Sequence, residues 1–104
     1  MKIAKIATLL VCLVSFGFSL EVTKDALNYF NQALSYQQSN QIDKAIEYYQ
    51  KAINADSSFS EAYLNLGSAY LDKGDLANAK LYMQKACSLG NSAGCENYNT
   101  LNAN

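Results

Sequence analysis

The sequence contains neither histidine nor proline, and its eight basic residues are all lysines. Without histidine, the chain lacks the side chain that most often serves as a general base and a metal ligand. The lysines are scattered and form no basic stripe, so nucleic-acid binding is not expected. Alternation of apolar and polar residues, which is typical of half-buried strands, is also missing. The absence of proline and of strand alternation favours an all-α fold.

Sequence motifs of catalytic centres are also missing. No serine is followed by lysine three positions later, and neither an S-D-N nor a K-T-G triplet occurs, so an activated-serine site lacks recognisable parts. Asp72 and Asp75 flank the pair Lys73-Gly74, and we expect these acids to act as caps and solvated charges. We therefore expect no enzymatic activity, no catalytic residue, no cofactor and no metal.

The first twenty residues differ in composition from the rest of the chain. Lys2 and Lys5 precede an apolar, uncharged run over residues 6–20, and Gly17 and Ser19 are small. This pattern is typical of a secretory signal peptide over residues 1–19, with cleavage after Gly17 as an alternative. The run is shorter than the ~20 residues of a spanning helix. After cleavage we expect no stable membrane span.

Cleavage would also change the charge and the cysteine count. It would remove two lysines from a chain of formal net charge −1 and leave −3. It would remove Cys12 and leave Cys87 and Cys95, an even pair that in an exported chain is read first as a disulfide. Two unpaired thiols are the alternative for that pair. The expected location is the periplasm or the outside of the cell, with lipidation at Cys12 or an uncleaved membrane anchor as alternatives.

The middle of the chain repeats itself with a period of 34 residues. Identical residues stand one period apart in pairs: Tyr29 and Tyr63, Asn31 and Asn65, Tyr36 and Tyr70, Ala45 and Ala79, Tyr48 and Tyr82. The run Gln-Lys-Ala at 50–52 also returns at 84–86. A fixed period of this length is typical of helix–turn–helix units that stack into a solenoid and present a surface to partners.

Apolar residues spaced three and four apart, with polar or glycine breaks between the runs, predict five helices. Their expected ranges are 24–38, 42–55, 60–72, 76–89 and a last one from 91 or 92 to 101. Thr23 and Asp75 are expected N-caps. Ser58 with Glu61 has the spacing of a capping box, and Gly74 suits the positive φ of a helix end.

The repeated residues resemble the tetratricopeptide repeat. In residues 60–93 the signature positions hold Tyr63, Leu66, Gly67, Tyr70, Gly74, Ala79 and Ala86, and in residues 26–59 they hold Tyr29, Ala33, Tyr36, Ala45, Tyr49 and Ala52. The departures are Gln32, where an apolar residue is expected, and Ser57 and Asn91, where proline is common. The resemblance implies a short right-handed α-solenoid. Its parts would be a leader (20–25), two units (26–59 and 60–93), and a C-terminal capping helix with a frayed tail (94–104).

A second resemblance covers the C-terminal part. The run Ala-Cys-Ser-Leu-Gly at 86–90, followed by Gly94 and Cys95, is similar to the Sel1-like repeats of secreted cysteine-rich proteins of Helicobacter type. It implies a disulfide clasp between Cys87 and Cys95. The first unit has Ile53 and Glu61 at the equivalent places and so has no clasp. Members of that group have been linked to β-lactam binding and hydrolysis, which makes such a protein one alternative function.

The tetratricopeptide resemblance also implies a binding groove, because the first helix of each unit lines a concave surface in that family. Carried over by position, the lining residues are Leu27, Phe30, Asn31, Leu34, Gln37, Glu61, Leu64, Asn65, Ser68, Leu71 and Asp72. So many apolar side chains, if exposed, indicate a partner surface. Asn31 and Asn65 are suited to bonding the backbone of a peptide or helix.

The expected partner is therefore a protein or peptide, and the expected function is that of an exported adaptor or assembly factor. Phe30 and Leu64 stand where the family's carboxylate-binding groove has its first lysine, so a groove of that type is not expected. Alternatively, the apolar residues pack against the leader, the fifth helix or a second copy of the chain in a homodimer. The family places Tyr29, Tyr36, Tyr63 and Tyr70 in the core, so we expect them to pack rather than to bind a sugar.

Overall fold

The computed structural model describes residues 22–103, and in that range helices follow one another without a strand. They are α1 (Lys24–Gln38), α2 (Ile42–Ala55), α3 (Ser60–Lys73), α4 (Leu76–Ser88) and α5 (Ser92–Asn102). The predicted all-α solenoid is confirmed, and the helix bounds differ from the predicted ones by a residue at most. The predicted signal peptide and Cys12 lie outside the described residues. None of the helices in 22–103 is long and apolar enough to cross a membrane.

Polar side chains cap the start of three helices. The side-chain oxygens of Thr23, Asp75 and Asn91 each accept a hydrogen bond from the backbone N–H three residues later, at 3.2, 3.1 and 2.9 Å. The predicted caps Thr23 and Asp75 are confirmed, and Asn91 caps α5. Each bond satisfies an N–H that helix geometry leaves unpaired, which typically stabilises by about 1 kcal/mol.

The predicted capping box at the start of α3 is wrong. Phe59 is the N-cap residue of α3, and no side chain bonds to the first turn. Ser58 instead donates from its hydroxyl and its N–H to Asp56 Oδ1, at 2.7 and 3.1 Å. These bonds organise the α2–α3 connection and lower the pKa of the Asp56 carboxyl. Phe59 is buried in the core just after them.

The turns after α1 and α3 use positive φ at equivalent positions. Gly74 has φ of 86°, as predicted, and Asn40, one repeat period earlier, has φ of 63°. Asparagine enters this region more readily than most residues because its short side chain can bond locally. The turn geometry therefore repeats although the residue does not.

Two glycines set how closely α3 and α5 approach α4. A Cβ on Gly67 would lie 2.8 Å from Met83 Cγ, and a Cβ on Gly94 would lie 2.7 Å from Ala86 Cβ. Both distances are well inside ordinary carbon–carbon contact, so neither site has room for a side chain. Small residues thus determine the spacing of the second unit.

Both units contain buried side chains, which are largely alanines between larger residues. They belong to Ala26, Phe30, Ala33, Ala45, Ile46, Tyr49, Ala52, Phe59, Ala62, Leu66, Ala69, Ala79, Met83 and Ala86. Each helix packs mainly against the next one in sequence, so the fold is built from neighbouring contacts.

A disulfide and a close-packed glycine join the last helix, α5, to α4. Cys87 and Cys95 form a disulfide, with their Cα atoms 4.4 Å apart. Gly94 is the buried residue of α5, while Cys95, Tyr98 and Leu101 are half-buried. This helix therefore covers the end of the second unit with little fully buried apolar surface of its own.

Candidate functional site

One face of the molecule is formed by the odd-numbered helices, with α2 and α4 behind it. A hydrogen bond joins Gln37 of α1 to Asp72 of α3, and residues of α3, α4 and α5 line a common cleft. We call this surface, made by α1, α3 and α5, the groove face. All the residues predicted to line a groove belong to α1 or α3.

The space between α1 and α3 is polar. Tyr49, whose side chain is fully buried, donates its hydroxyl to Gln37 Oε1 at 2.7 Å. Gln37 in turn donates from Nε2 to Asp72 Oδ2 at 3.0 Å. We call this chain of Tyr49, Gln37 and Asp72, together with Asn65 beside the Tyr49 hydroxyl, the polar valley.

One exposed carboxylate, that of Asp72, lies at the outer end of the polar valley. Burial raises the pKa of the Tyr49 hydroxyl most, the nearby amide of Asn65 lowers it, and the charge of Asp72 raises it again. Lys73, the residue after Asp72, does not offset that charge locally, because its Nζ lies 2.7 Å from Asp43 Oδ1. A buried phenol and an exposed carboxylate thus share one hydrogen-bonded chain whose outer end is acidic.

The space between α3 and α5 is mainly apolar. A cleft of about 240 Å³ opens there, lined by Ser68, Leu71, Met83, Asn97, Thr100 and Leu101. Met83 is almost fully buried, whereas Leu71 keeps 39% of its surface exposed. We call this space the apolar cleft. Its polar residues, a serine, a threonine and an asparagine, are uncharged and can donate or accept hydrogen bonds.

The predicted lining residues differ in their access to solvent. Leu27, Asn31, Glu61, Leu71 and Asp72 are exposed. The half-buried members are Leu34, Gln37, Leu64, Asn65 and Ser68. The structure brings Gln37, Asn65 and Asp72 together in the polar valley and places Ser68 and Leu71 in the apolar cleft.

Phe30 is buried, unlike the other predicted lining residues, so its predicted role as an exposed lining residue is wrong. Only 7% of its surface is exposed. Its ring centroid lies 4.8 Å from that of Phe59 and 5.8 Å from that of Tyr49. Phe59, from the α2–α3 connection, covers it, so Phe30 supports the face from within the core.

Sequence reasoning missed four residues of the apolar cleft, namely Met83, Asn97, Thr100 and Leu101. The first comes from α4, which the family pattern places behind the groove. The others come from α5, which was predicted to cap the solenoid end and not to line a groove. Extending the 34-residue period by one helix would have indicated these residues, because α5 follows α4 as α3 follows α2. By that analogy α5 lines the groove face next to α3.

Each unit has one cluster of tyrosines between its two helices. In the first unit, Tyr48 lies 6.2 Å from Tyr29 and 5.1 Å from Tyr36, with Lys51 Nζ 4.5 Å from the Tyr48 ring. In the second unit, Tyr82 stacks on Tyr70 at 5.5 Å. All these rings are half-buried. Cation–π and ring contacts within the chain occupy much of their surface.

Metal binding finds no support in residues 22–103, where no group of three or more His, Cys, Asp or Glu side chains could hold an ion. Comparison with curated proteins gave no match to this chain. The family model described as tetratricopeptide repeat matches residues 30–94, more than half of the chain. That match spans α2, α3 and α4 and most of α1. Together with the helix order and the repeat period, it shows that the chain belongs to the tetratricopeptide repeat family.

Proposed function

We propose that this protein is an exported interaction module that binds a segment of a partner protein on its groove face. The family is generally a non-enzymatic scaffold for protein–protein interaction. The observation that carries the proposal is the apolar cleft, with Leu71 exposed at its edge and the acidic polar valley beside it. Exposed apolar surface rimmed by polar residues is typical of a protein interaction site.

Polar side chains on the groove face are placed to fix the orientation of a bound segment. Asn31 is exposed, and Ser68 lies in the apolar cleft. Their amide and hydroxyl groups can bond peptide backbone, which has one donor and one acceptor per residue. Burial of Leu27 and Leu71 by the partner would supply apolar contact on the same face.

The proposed export rests on the N-terminal sequence and on the cysteines. Residues 1–19 have the composition of a signal peptide, and Cys87 and Cys95 form a disulfide, a bond that persists in oxidising compartments. We assign the protein to the periplasm or the extracellular space and regard the disulfide as a Sel1-like clasp. Mass spectrometry of the exported protein under non-reducing conditions tests cleavage after Ser19 and the bridge in one measurement.

Charge placed on exposed leucines tests the groove face directly. Leu71→Glu should lower partner binding by about tenfold or more, because the carboxylate would be desolvated on binding. Leu81 is the matched control, since it is 43% exposed and lies on α4 behind the groove face. A photocrosslinking residue at 71 or at 81 in living cells identifies the partner. The proposal is supported if position 71 crosslinks to a partner, if this crosslink disappears when Leu27→Glu is added, and if position 81 gives no crosslink.

Two outcomes of this test would contradict it. Equal crosslinking from positions 71 and 81 would mean that no particular face is used. Crosslinking of the chain to itself from position 71, with sedimentation showing a dimer at low concentration, would make the groove face a homodimer interface. A monomer that crosslinks to another protein from position 71 alone keeps the adaptor function.

A further inference from the structure

We propose that the groove face selects an extended peptide segment in which a lysine or arginine and a large apolar residue stand about three positions apart. This inference rests on the proposed function and names the class of partner. The basic side chain would bind in the polar valley, and the apolar side chain would bind in the apolar cleft.

The two halves of the groove face differ in chemistry because the repeat is broken at two facing positions. Gln37 and Tyr49, which are hydrogen-bonded to each other, are replaced one period later by Leu71 and Met83. An amide and a phenol thus become an isobutyl group and a thioether. A segment that fits both halves must be polar where it meets α1 and apolar where it meets α5.

Charge favours a cation in the polar valley. Asp72 accepts its hydrogen bond from the neutral amide of Gln37, and in residues 22–103 no ion pair involves Asp72. The adjacent Lys73 is paired with Asp43. A lysine or arginine supplies the missing charge, and its bond to a carboxylate is charge-assisted.

The apolar cleft accepts an uncharged side chain. Leu71 and Leu101 are two of its walls, and Met83 lies deep within it. Methionine adapts its shape to irregular neighbours, which suits a pocket for leucine, isoleucine, methionine or phenylalanine. Ser68 and Thr100 can bond the backbone of the segment next to the anchored residue.

The width of α3 sets the spacing between the two side chains of the partner. Asp72 turns towards α1, where it meets Gln37, while Leu71 lines the cleft with residues of α5. A helix with its side chains is about 10 Å across. A segment in the extended polyproline II conformation advances about 3.1 Å per residue with three residues per turn, so side chains three positions apart point to the same side. Crossing α3 therefore takes about three residues, which gives the proposed separation.

Selection from a displayed library of random ten-residue peptides, flanked by neutral linkers, tests the inference. The bait is the full chain, purified after the expressing cell has carried out any signal-peptide cleavage. Wild type should enrich lysine or arginine three positions from a large apolar residue. Asp72→Lys should lose or invert the preference for basic residues. Glu47→Lys, an equal charge reversal on α2 behind the groove face, should leave it unchanged.

Affinities of one selected peptide complete the test. Asp72→Asn should weaken binding by about three- to fivefold, as expected for a partly exposed ion pair, and should flatten its dependence on salt. Replacing the basic residue of the peptide by norleucine should have the same effect on wild type and little effect on Asp72→Asn. Leu71→Ala should weaken binding to both peptides about equally.

Enriched peptides without a basic residue, or an unchanged preference in Asp72→Lys, would overturn this inference while leaving the proposed groove function standing. Failure of wild type to enrich any peptide over the Leu71→Glu variant would overturn both. Circular dichroism of each variant, which should match wild type, ensures that lost binding is not lost folding.

Discussion

Replacing Cys87 and Cys95 with serine tests how α5 is held on the second unit. The disulfide spans a sequence separation of 8 residues. In the loop-entropy description, closing such a loop stabilises by about 2.5 kcal/mol. A small domain has a total free energy of unfolding of about 5 kcal/mol. The double variant should therefore lose a large fraction of its stability.

The loss should appear first in α5. This helix has 11 residues, and isolated helices shorter than about 12–15 residues are marginal in water. Gly94 is the residue it buries fully, and a glycine contributes no side chain to packing. Hydrogen exchange should show loss of amide protection in Ser92–Asn102, while protection persists in the helices between Lys24 and Ser88.

Urea unfolding gives the magnitude. With a denaturant slope near 1 kcal/mol/M, the midpoint should fall by up to about 2.5 M. Wild type in reducing buffer should match the double variant, which separates loss of the bond from any effect of serine itself. Retained protection across α5, with an unfolding free energy within about 0.5 kcal/mol of wild type, would refute the reasoning and show that packing alone holds α5.

Three further predictions concern stability. Gly67→Ala should destabilise the fold by about 1–3 kcal/mol, measured by urea unfolding, because its methyl group would overlap the Met83 side chain. Hydrogen bonds from Asn78 lower the pKa of Asp75, so the stability from this cap is present above about pH 4 and lost as the pH falls through the lowered pKa. Asp75→Asn keeps the cap and should remove that part of the acid dependence. Burial first, and then the neighbouring Tyr82, raise the pKa values of Tyr63 and Tyr70, so stability should fall as the pH rises above about 10, and Tyr63→Phe should reduce that fall.

Much of this fold could be predicted because its signals are local. Thr23 and Asp75 mark helix starts by chemistry that acts over three residues, and Gly74 marks a helix end by its own φ. The 34-residue period then fixes which helices are neighbours. Long-range information was hardly needed, since each helix packs on the one before it.

Residues that differ between the repeats could not be predicted from the period. Phe30 and Leu64 are equivalent in sequence, yet Phe30 is buried and Leu64 is half-buried. Phe59 covers Phe30, whereas the residue one period after Phe59 is Ala93, which is much smaller. The environment of a repeated position thus depends on a residue that does not repeat, and only the structure shows which one reaches it.

The disulfide and the groove face are linked, because α5 supplies one wall of the apolar cleft. Thr100 and Leu101 lie on the helix that Cys95 ties to α4. If α5 separates when the bond is reduced, the cleft loses that wall while the polar valley, built from α1, α2 and α3, remains. We therefore expect reduction to weaken binding of a selected peptide by about tenfold, the effect of losing roughly 1.4 kcal/mol of apolar contact.

Isothermal titration in oxidising and reducing buffers measures this coupling. Leu101→Ala, with the disulfide intact, is the matched control. In oxidising buffer it should show part of the affinity loss that reduction causes in wild type. Its own further loss on reduction should be no larger than that of wild type. The preference for a basic residue should survive reduction, because Asp72 and Gln37 are both outside α5. Equal affinity in both buffers would contradict this link between the disulfide and peptide binding. The disulfide would then serve stability alone. A tenfold loss would mean that the protein binds its partner well only in an oxidising compartment, where the disulfide persists.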